Sequence, residues 1–178
     1  MKKITILAIS GSLRNGSSTS AVLRIATGMV QQDADIHFYE DIGKIPAFDD
    51  SSIIPSVVDH FIKLISQSDA VLFCIPEYAF GVPGALKNAL DWTVSTTAFS
   101  DKPVALITAA SGGDKAHAAF ALTLTALGTK INEQTKLLIP HIRTKINSQG
   151  EMQDPRTLDS IKTVMHELLQ TVRNIVPI

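Results

Sequence analysis

The sequence is poor in several features that define whole classes of protein. It has one cysteine in 178 residues, Cys74, so no disulfide can form within the chain, which is typical of a reducing compartment such as the cytosol. No apolar run approaches the roughly 18 residues that a membrane-spanning helix needs. The formal net charge is only −1 and the charged residues are scattered, so the basic footprint of a nucleic-acid-binding protein is missing. We therefore expect a cytoplasmic protein that binds neither nucleic acid nor a membrane.

The composition that remains is that of an ordinary globular protein. Hydrophobic residues make up 45% of the chain. A length of 178 residues most economically forms one domain with a substantial core, so we expect residues 1–178 to be a single domain. The five histidines show no metal-ligand spacing, and no metal is predicted. Cys74 lies within an apolar run, which predicts an inert buried thiol rather than a catalytic one.

Short apolar runs alternate with segments of helical periodicity along the whole chain. The predicted strands are residues 3–9, 35–39, 69–75, 103–109 and 131–139. The predicted helices are residues 19–31, 55–66, 83–92, 115–127 and a last one that begins after Asp154. The stretch 41–52 is predicted to be a loop. This alternation predicts an α/β protein with a five-stranded, doubly wound parallel sheet in the order 2-1-3-4-5 and helices on both faces, a three-layer α/β/α arrangement.

The expected strand order also predicts where a ligand binds. In open α/β sheets, ligands lie beyond the carboxyl ends of the strands, at the point where the strand order reverses. Here the order reverses between the first and third strands, so the loops after those strands are expected to share one ligand. These loops are called the first loop (residues 10–19) and the second loop (residues 76–80) below.

The first loop is rich in glycine and hydroxyl groups and opens a helix. Its glycines allow a tight turn, and the free amides and dipole of the helix start favour an anion. Arg14 can add a forked contact to phosphate. A polar loop that merely caps a helix would have the same composition, so composition alone leaves both interpretations open.

Two common phosphate-binding motifs do not fit the first loop. Gly11 is followed by Ser12 and Leu13, so the dinucleotide pattern G-x-G-x-x-G is absent, and no Gly-Lys-Ser/Thr follows at P-loop spacing. A phosphate monoester held by hydroxyls and one arginine is the better match. FMN carries such a group.

A second motif follows the third predicted strand, and the two motifs together resemble a known family. The second motif is Pro76-Glu77-Tyr78 followed by Pro83-Gly84-x-Leu86-Lys87-Asn88-Ala89-x-Asp91-Trp92. With Gly11-Ser12-Leu13-Arg14 and Ser17 before it, the sequence resembles the NADPH-dependent FMN reductase family, a flavodoxin-like group that includes quinone, azo-dye and chromate reductases. Both motifs occur in the order and spacing of that family.

The resemblance implies a flavodoxin-like fold with FMN as cofactor. The FMN phosphate would bind in the first loop, and the isoalloxazine ring would lie between the second loop and a third loop after the fourth strand. The residues implied to bind the cofactor are Ser10, Ser12, Arg14, Ser17, Ser18 and Thr19 in the first loop, Pro76, Glu77, Tyr78, Ala79 and Phe80 in the second, and Ser111, Gly112 and Gly113 in the third.

Several of these residues have a plainer alternative role. Glu77 could be a general base, but we favour a role in holding the loop or a helix start, because flavin chemistry needs no protein carboxylate to move a hydride. Tyr78 and Phe80 could be core packing, although two aromatic residues on a strand-end loop suit a ring-stacking platform. His117 could protonate a reduced acceptor, but a solvated helix histidine is the expected interpretation. No catalytic side chain is assigned, since the flavin N5 would carry the hydride.

The activity implied by the resemblance is that of an NAD(P)H-dependent, FMN-containing oxidoreductase. NAD(P)H would reduce the flavin, and a quinone, azo compound, metal oxyanion or free flavin would then take the electrons in the same cleft. The resemblance also implies a homodimer or homotetramer with the helix 83–92 near the interface, where Val82, Ala85, Ala89 and Trp92 are apolar. The choice between NADH and NADPH stays open, because no basic cluster for a 2′-phosphate is identifiable.

Two other classes of function remain as alternatives. A flavodoxin-type electron carrier would bind FMN without using NAD(P)H, but such carriers are often acidic and this chain is near neutral. A flavin-free binding protein would not need Arg14 and the loop hydroxyls.

Overall fold

The computed structural model describes residues 3–175, and its centre is a parallel sheet of five strands in the order β2-β1-β3-β4-β5. The strands are β1 (Ile4–Ser10), β2 (Ala34–Tyr39), β3 (Ala70–Ile75), β4 (Val104–Ala109) and β5 (Lys136–Ile139). The predicted topology is confirmed. Every residue of β3 and β4 is buried, as expected for central strands of a parallel sheet covered on both faces.

Within residues 3–175, five α-helices cover the two faces of the sheet. They are α1 (Ser18–Gly28), α2 (Ser56–Gln67), α3 (Gly84–Asp91), α4 (Asp114–Ala126) and α5 (Pro155–Ile175). Side chains of β1 alternate between two cores: Ile6 and Ala8 pack with α1 and α5, whereas Leu7 and Ile9 pack with α2, α3 and α4. The three-layer arrangement predicted from the alternation is therefore confirmed. Within residues 3–175, no helix is long and apolar enough to cross a membrane.

The structure corrects the predicted bounds of several elements. The fifth strand begins at Lys136 rather than at residue 131, because Glu133–Thr135 forms a 3₁₀ turn capped by the side chain of Asn132. The first helix ends at Gly28 instead of residue 31. The predicted loop 41–52 begins with another 3₁₀ turn, Asp41–Lys44. Local side-chain hydrogen bonds of this kind compete with regular structure and are hard to rank from the sequence.

The helix after the second loop also differs from the prediction in its start and in its contacts. Pro83 has non-helical backbone angles, with φ −54° and ψ 124°, and precedes α3 as its N-cap, so it is not the first helical residue. Ala89 and Trp92, predicted near a subunit interface, are buried in the core of this chain. The indole Nε1 of Trp92 donates a hydrogen bond to the Pro46 carbonyl oxygen at 2.9 Å, and its ring packs edge-on against Phe48.

Glycine at position 11 allows β1 to end against β3. The Gly11 amide donates a hydrogen bond to the carbonyl oxygen of Cys74 at 2.8 Å. A Cβ atom at Gly11 would lie 3.1 Å from Cγ2 of Ile75, which is closer than most side-chain contacts. The first loop therefore leaves the sheet directly beside the second loop.

Candidate cofactor site

The hydroxyl groups of the first loop bond mainly to the loop itself. Ser10 Oγ accepts a hydrogen bond from the amide of Ser12 at 3.2 Å, and Ser12 Oγ accepts one from the amide of Arg14 at 3.3 Å. Ser17 is buried and caps α1, because its Oγ accepts a hydrogen bond from the amide of Ser20 at 3.1 Å. These bonds hold the loop in one tight conformation at the end of β1.

The end of the first loop has the properties of an anion site. Within residues 3–175, the amides of Ser18 and Thr19, the first two in α1, have no acceptor, as is usual at a helix start. In the same described part of the chain, the exposed guanidinium of Arg14 has no carboxylate partner. Free amides, a helix dipole and an unpaired guanidinium together fit the phosphate of FMN. The side chains of Ser12 and Thr19 are both buried, so the half-buried Ser10 is the most accessible of these three hydroxyl groups.

The second loop is a strained two-residue turn that exposes aromatic residues. The amides of Tyr78 and Gly81 each donate to the carbonyl oxygen of the other residue, at 3.1 and 2.9 Å. The two residues between them, Ala79 and Phe80, have left-handed φ angles of 48° and 58°. This conformation costs about 1–2 kcal/mol for each residue that is not glycine. The same turn leaves Tyr78 53% exposed and Phe80 79% exposed to solvent. Neither ring is therefore part of the core, and strain of this kind is often found at functional sites.

Hydrogen bonds connect the second loop to both of its neighbours. The hydroxyl of Tyr78 lies 3.3 Å from Ser12 Oγ in the first loop. On the other side, the Glu77 carboxylate accepts hydrogen bonds from the amides of Gly113 at 3.2 Å and Ala116 at 2.9 Å. Gly113 is the N-cap of α4 and has no side chain, so Glu77 caps that helix from another loop. The predicted role of Glu77 in holding a loop and a helix start is confirmed.

The third loop (residues 111–113) requires glycine at position 113. Gly113 has a φ angle of +105°, and a Cβ atom there would lie 2.8 Å from Leu138 Cδ1 and 3.1 Å from Thr108 Cγ2. Ser111 and Gly112 are exposed beside it. The third loop is therefore pressed against the ends of β4 and β5 while its outer side faces Glu77.

The predicted environment of His117, in the helix after the third loop, is wrong. It is half-buried rather than solvated, and its Nδ1 lies 2.8 Å from the hydroxyl oxygen of the buried Thr108. Burial lowers the pKa of His117, and the positive charge of Lys136 lowers it further, against a smaller opposite effect of Glu133. The sequence held one indication of this contact, because Thr108 is the polar residue in an otherwise apolar strand and a buried hydroxyl needs a partner.

Cys74 takes no part in the site. The side chain is fully buried in β3, and burial raises the pKa of the thiol, so the reactive thiolate is disfavoured. The predicted burial of Cys74 is confirmed. In the part of the chain that the structure describes, no group of three or more His, Cys, Asp or Glu side chains is placed to hold a metal ion.

The fold and the loops together are those of one class of protein. Flavodoxin-like proteins typically have a parallel sheet in the order 2-1-3-4-5. They also bind a ligand at the switch point, where the strand order reverses, and here that point has an anion-binding loop beside a loop with exposed aromatic residues. Comparison with known sequences narrows the class to a family. Residues 4–143 match the NADPH-dependent FMN reductase family, and the chain belongs to it. The family recognised from the two motifs is thereby confirmed.

Individual relatives agree with this assignment. The chain is 33% identical to an NAD(P)H-dependent FMN reductase of Pseudomonas aeruginosa over 97% of both chains. It is 31% identical to a quinone reductase of Escherichia coli K12, over 62% of each chain. Among solved structures, the flavoenzyme NAD(P)H:acceptor oxidoreductase FerB of Paracoccus denitrificans superposes with a TM-score of 0.83 at 23% identity, over 96% of this chain and 98% of FerB. That likeness concerns the fold.

Proposed function

We propose that this chain is an NAD(P)H-dependent, FMN-containing oxidoreductase that passes electrons to a small-molecule acceptor. Family membership and the named activities of the relatives support the reductase class and the FMN cofactor. One structural observation carries the proposal further. The three loops expected to hold the cofactor are joined at the switch point, by the Ser12–Tyr78 contact and by the bonds from Glu77 to Gly113 and Ala116.

Each loop has a separate task in this proposal. Ser10, Ser12, Arg14 and the free amides of α1 bind the phosphate, while the second and third loops hold the isoalloxazine ring through their backbone groups and through Tyr78 and Phe80. FMN, when bound, supplies the redox chemistry, and the protein supplies position and electrostatics. Two backbone amides already engage the Glu77 carboxylate, so its role is to fix the spacing of the loops rather than to move a proton. The exposed aromatic residues leave the site open for a donor and an acceptor to bind in turn.

The finer parts of the function rest on similarity. A quinone is the first acceptor to test, because relatives in Arabidopsis thaliana and E. coli are named as quinone reductases. An azo compound, a metal oxyanion and free flavin follow. We also propose that residues 1–178 act as one domain, that the protein is cytosolic, and that it forms a homodimer or homotetramer.

An anaerobic titration tests the proposal. The FMN-reconstituted protein is titrated with NADH and, separately, with NADPH, and the visible flavin absorbance is followed. We expect the oxidised flavin bands to bleach with at least one nucleotide and to return when a quinone is added. If FMN binds but neither nucleotide reduces it, the protein is a flavodoxin-type carrier. If FMN does not bind, the proposed cofactor site is wrong.

A substitution in the first loop tests the phosphate site directly. Arg14→Ala should weaken FMN binding by about 1.5–3 kcal/mol, the scale of a charge-assisted hydrogen bond. Fluorescence titration of the apoprotein measures this change. Lys162→Ala, which removes an exposed cation from α5, is the control and should leave the FMN affinity unchanged. Equal affinities of Arg14→Ala and the control would remove Arg14 from the phosphate site.

A further inference from the structure

A groove of about 880 Å³ begins at the first loop and leads away from the proposed flavin ring site. It follows α1 past Ser20 and Arg24 to Thr27, and its other wall is the segment 38–44 at the end of β2. None of its lining residues belongs to the second or third loop. Because β2 and β3 lie on opposite sides of β1, this β2 groove and the ring site lie on opposite sides of the first loop.

FMN in the proposed orientation does not account for the β2 groove. The phosphate is the end of the FMN molecule, and the rest of the cofactor extends towards β3 and β4. Whatever occupies the groove is therefore either joined to the flavin through that phosphate or a separate ligand. The volume falls in the range of roughly 300–1,000 Å³ that is usual for small-molecule sites.

The walls of the β2 groove combine apolar side chains with cations. Leu13 and Phe38 both line it and are 57% and 48% exposed, so both side chains are accessible to a ligand in the groove. An exposed aromatic ring and an aliphatic side chain can contact a planar base. Arg24 lines the same groove and, among the residues the structure describes, has no carboxylate partner, whereas Lys44 is paired with Asp41 at 2.9 Å. A guanidinium in this position suits a phosphate.

Glu40 lies at the position where dinucleotide-binding folds have an acidic residue. Glu40 directly follows β2, lines the groove and has no salt-bridge partner within residues 3–175. In α/β folds that bind dinucleotides, an acidic residue about 20 residues after the glycine loop hydrogen-bonds the hydroxyls of the adenosine ribose. The order of β1, a glycine-containing first loop, α1, β2 and an acidic residue is the same here. The G-x-G-x-x-G motif is absent, so arginine side chains would replace its backbone contacts to phosphate.

We propose that the β2 groove binds the adenosine 5′-phosphate part of a dinucleotide. The adenine lies against Leu13 and Phe38, the ribose hydroxyls bond to Glu40, and the phosphate bonds to Arg24. Two molecules carry this group: FAD, whose adenylate is joined to the flavin phosphate, and NAD(P)H. The proposal rests on the proposed function for the position of the flavin phosphate in the first loop.

Calorimetric titration with 5′-AMP and ADP-ribose tests the groove without any redox reaction. Both probes are added to the apoprotein and to the FMN-loaded protein. We expect ADP-ribose to bind, and Phe38→Ala, Glu40→Gln and Arg24→Ala each to weaken it about tenfold, the scale of one lost contact of this kind. Leu122→Ala and Lys162→Ala, exposed residues of α4 and α5, are the matched controls and should bind as the unchanged protein does. Absence of ADP-ribose binding to both preparations would overturn the proposal.

Comparison of FAD with FMN identifies the source of the adenylate. If the groove takes the adenylate of FAD, the apoprotein binds FAD more tightly than FMN, and Phe38→Ala removes the difference. If it takes the adenylate of NAD(P)H, the FMN-loaded protein binds ADP-ribose, and Phe38→Ala raises KM for NAD(P)H without changing the rate at saturation. Either result supports the proposal. A loss of FMN affinity in Phe38→Ala overturns it, because the flavin itself would then occupy the groove.

The two proposals fail in different ways. Flavin reduction by NAD(P)H in a protein that binds no ADP-ribose would overturn the groove alone. ADP-ribose binding to an apoprotein that binds no FMN would support the groove and overturn the flavin site.

Discussion

Most side-chain hydrogen bonds of the first loop join residues close together in sequence, apart from the contact between Ser12 and Tyr78, whereas the carboxylate that connects the second and third loops binds residues far away in the chain. Hydrogen bonds of Ser10 and Ser17 reach partners two to ten positions away. The carboxylate of Glu77 reaches amides 36 and 39 positions away. The phosphate side of the proposed site, which is the first loop, is therefore mainly a local structure. The ring side, which is the second and third loops, forms only when β3 and β4 are paired and α4 is packed.

The backbone strain follows the same division. In the first loop the positive φ angle lies at Gly16, where it costs little. In the second loop it lies at Ala79 and Phe80, where the tertiary contacts of Glu77 and Tyr78 must hold it. Substitutions on the ring side should therefore affect the stability of the whole fold more than substitutions in the first loop.

The largest effect is expected at Gly113. Gly113→Ala should lower the free energy of unfolding by about 2–5 kcal/mol, because the left-handed backbone and the contact with Leu138 both oppose a side chain. Urea denaturation measures the change. Gly112→Ala is the matched control, since a Cβ there has its nearest neighbour at an ordinary 3.6 Å, and it should change stability by no more than about 1 kcal/mol. Similar stabilities of the two variants would contradict the packing of the third loop.

The next effect tests the connection between the second and third loops. Glu77→Ala should cost about 1.5–3 kcal/mol, because two amides lose a charged acceptor. Glu77→Gln keeps one acceptor oxygen and should cost about half as much. Amide hydrogen exchange at Gly113 and Ala116 should become faster in both variants and fastest in Glu77→Ala. Unchanged exchange in Glu77→Ala would show that Glu77 does not cap α4.

A smaller effect is expected in the first loop, where the contacts are local. Ser17→Ala removes the N-cap of α1 and should cost about 1 kcal/mol in a denaturation experiment. Ser18→Ala is the control, because within the described residues the Ser18 side chain makes no hydrogen bond. A loss larger than that of Glu77→Ala would reverse the comparison between the two sides.

The smallest effect is expected in the pH dependence of stability, at His117 on the ring side. The pKa of His117 is lowered in the folded protein by burial and then by Lys136, so the folded state favours the neutral ring. In the unfolded chain His117 takes up a proton near its ordinary pKa of 6.5. Its contribution to the free energy of unfolding is therefore lost as the pH falls from 6.5 through the lower pKa of the folded state. Between about pH 7 and about pH 5, on either side of the ordinary pKa, the free energy of unfolding of His117→Gln should therefore decline less than that of the unchanged protein. His60→Gln, on the exposed side of α2, should follow the unchanged protein.

Prediction from the sequence succeeded where the pattern was repeated or local. The alternation of strands and helices predicted the strand order, and the first loop was correctly predicted to open a helix with free amides at its start. It was less accurate where a single side chain redirected the backbone, as Asn132 does before β5. It misjudged His117 because the partner hydroxyl belongs to another element. The β2 groove was missed because Phe38 and Glu40 are unremarkable until α1 lies beside the edge strand.

Periodicity and local hydrogen bonds depend on residues within a few positions of one another, so the amino-acid order alone was enough to predict the doubly wound sheet, the helix that follows the first loop and the family. The packing of the ring side depends on groups brought together across 36 to 66 positions, and only the folded chain decides it. Glu77 meets the start of α4, Tyr78 meets Ser12, and Gly113 fits against β5, because the parallel sheet places the ends of β1, β3 and β4 at one edge.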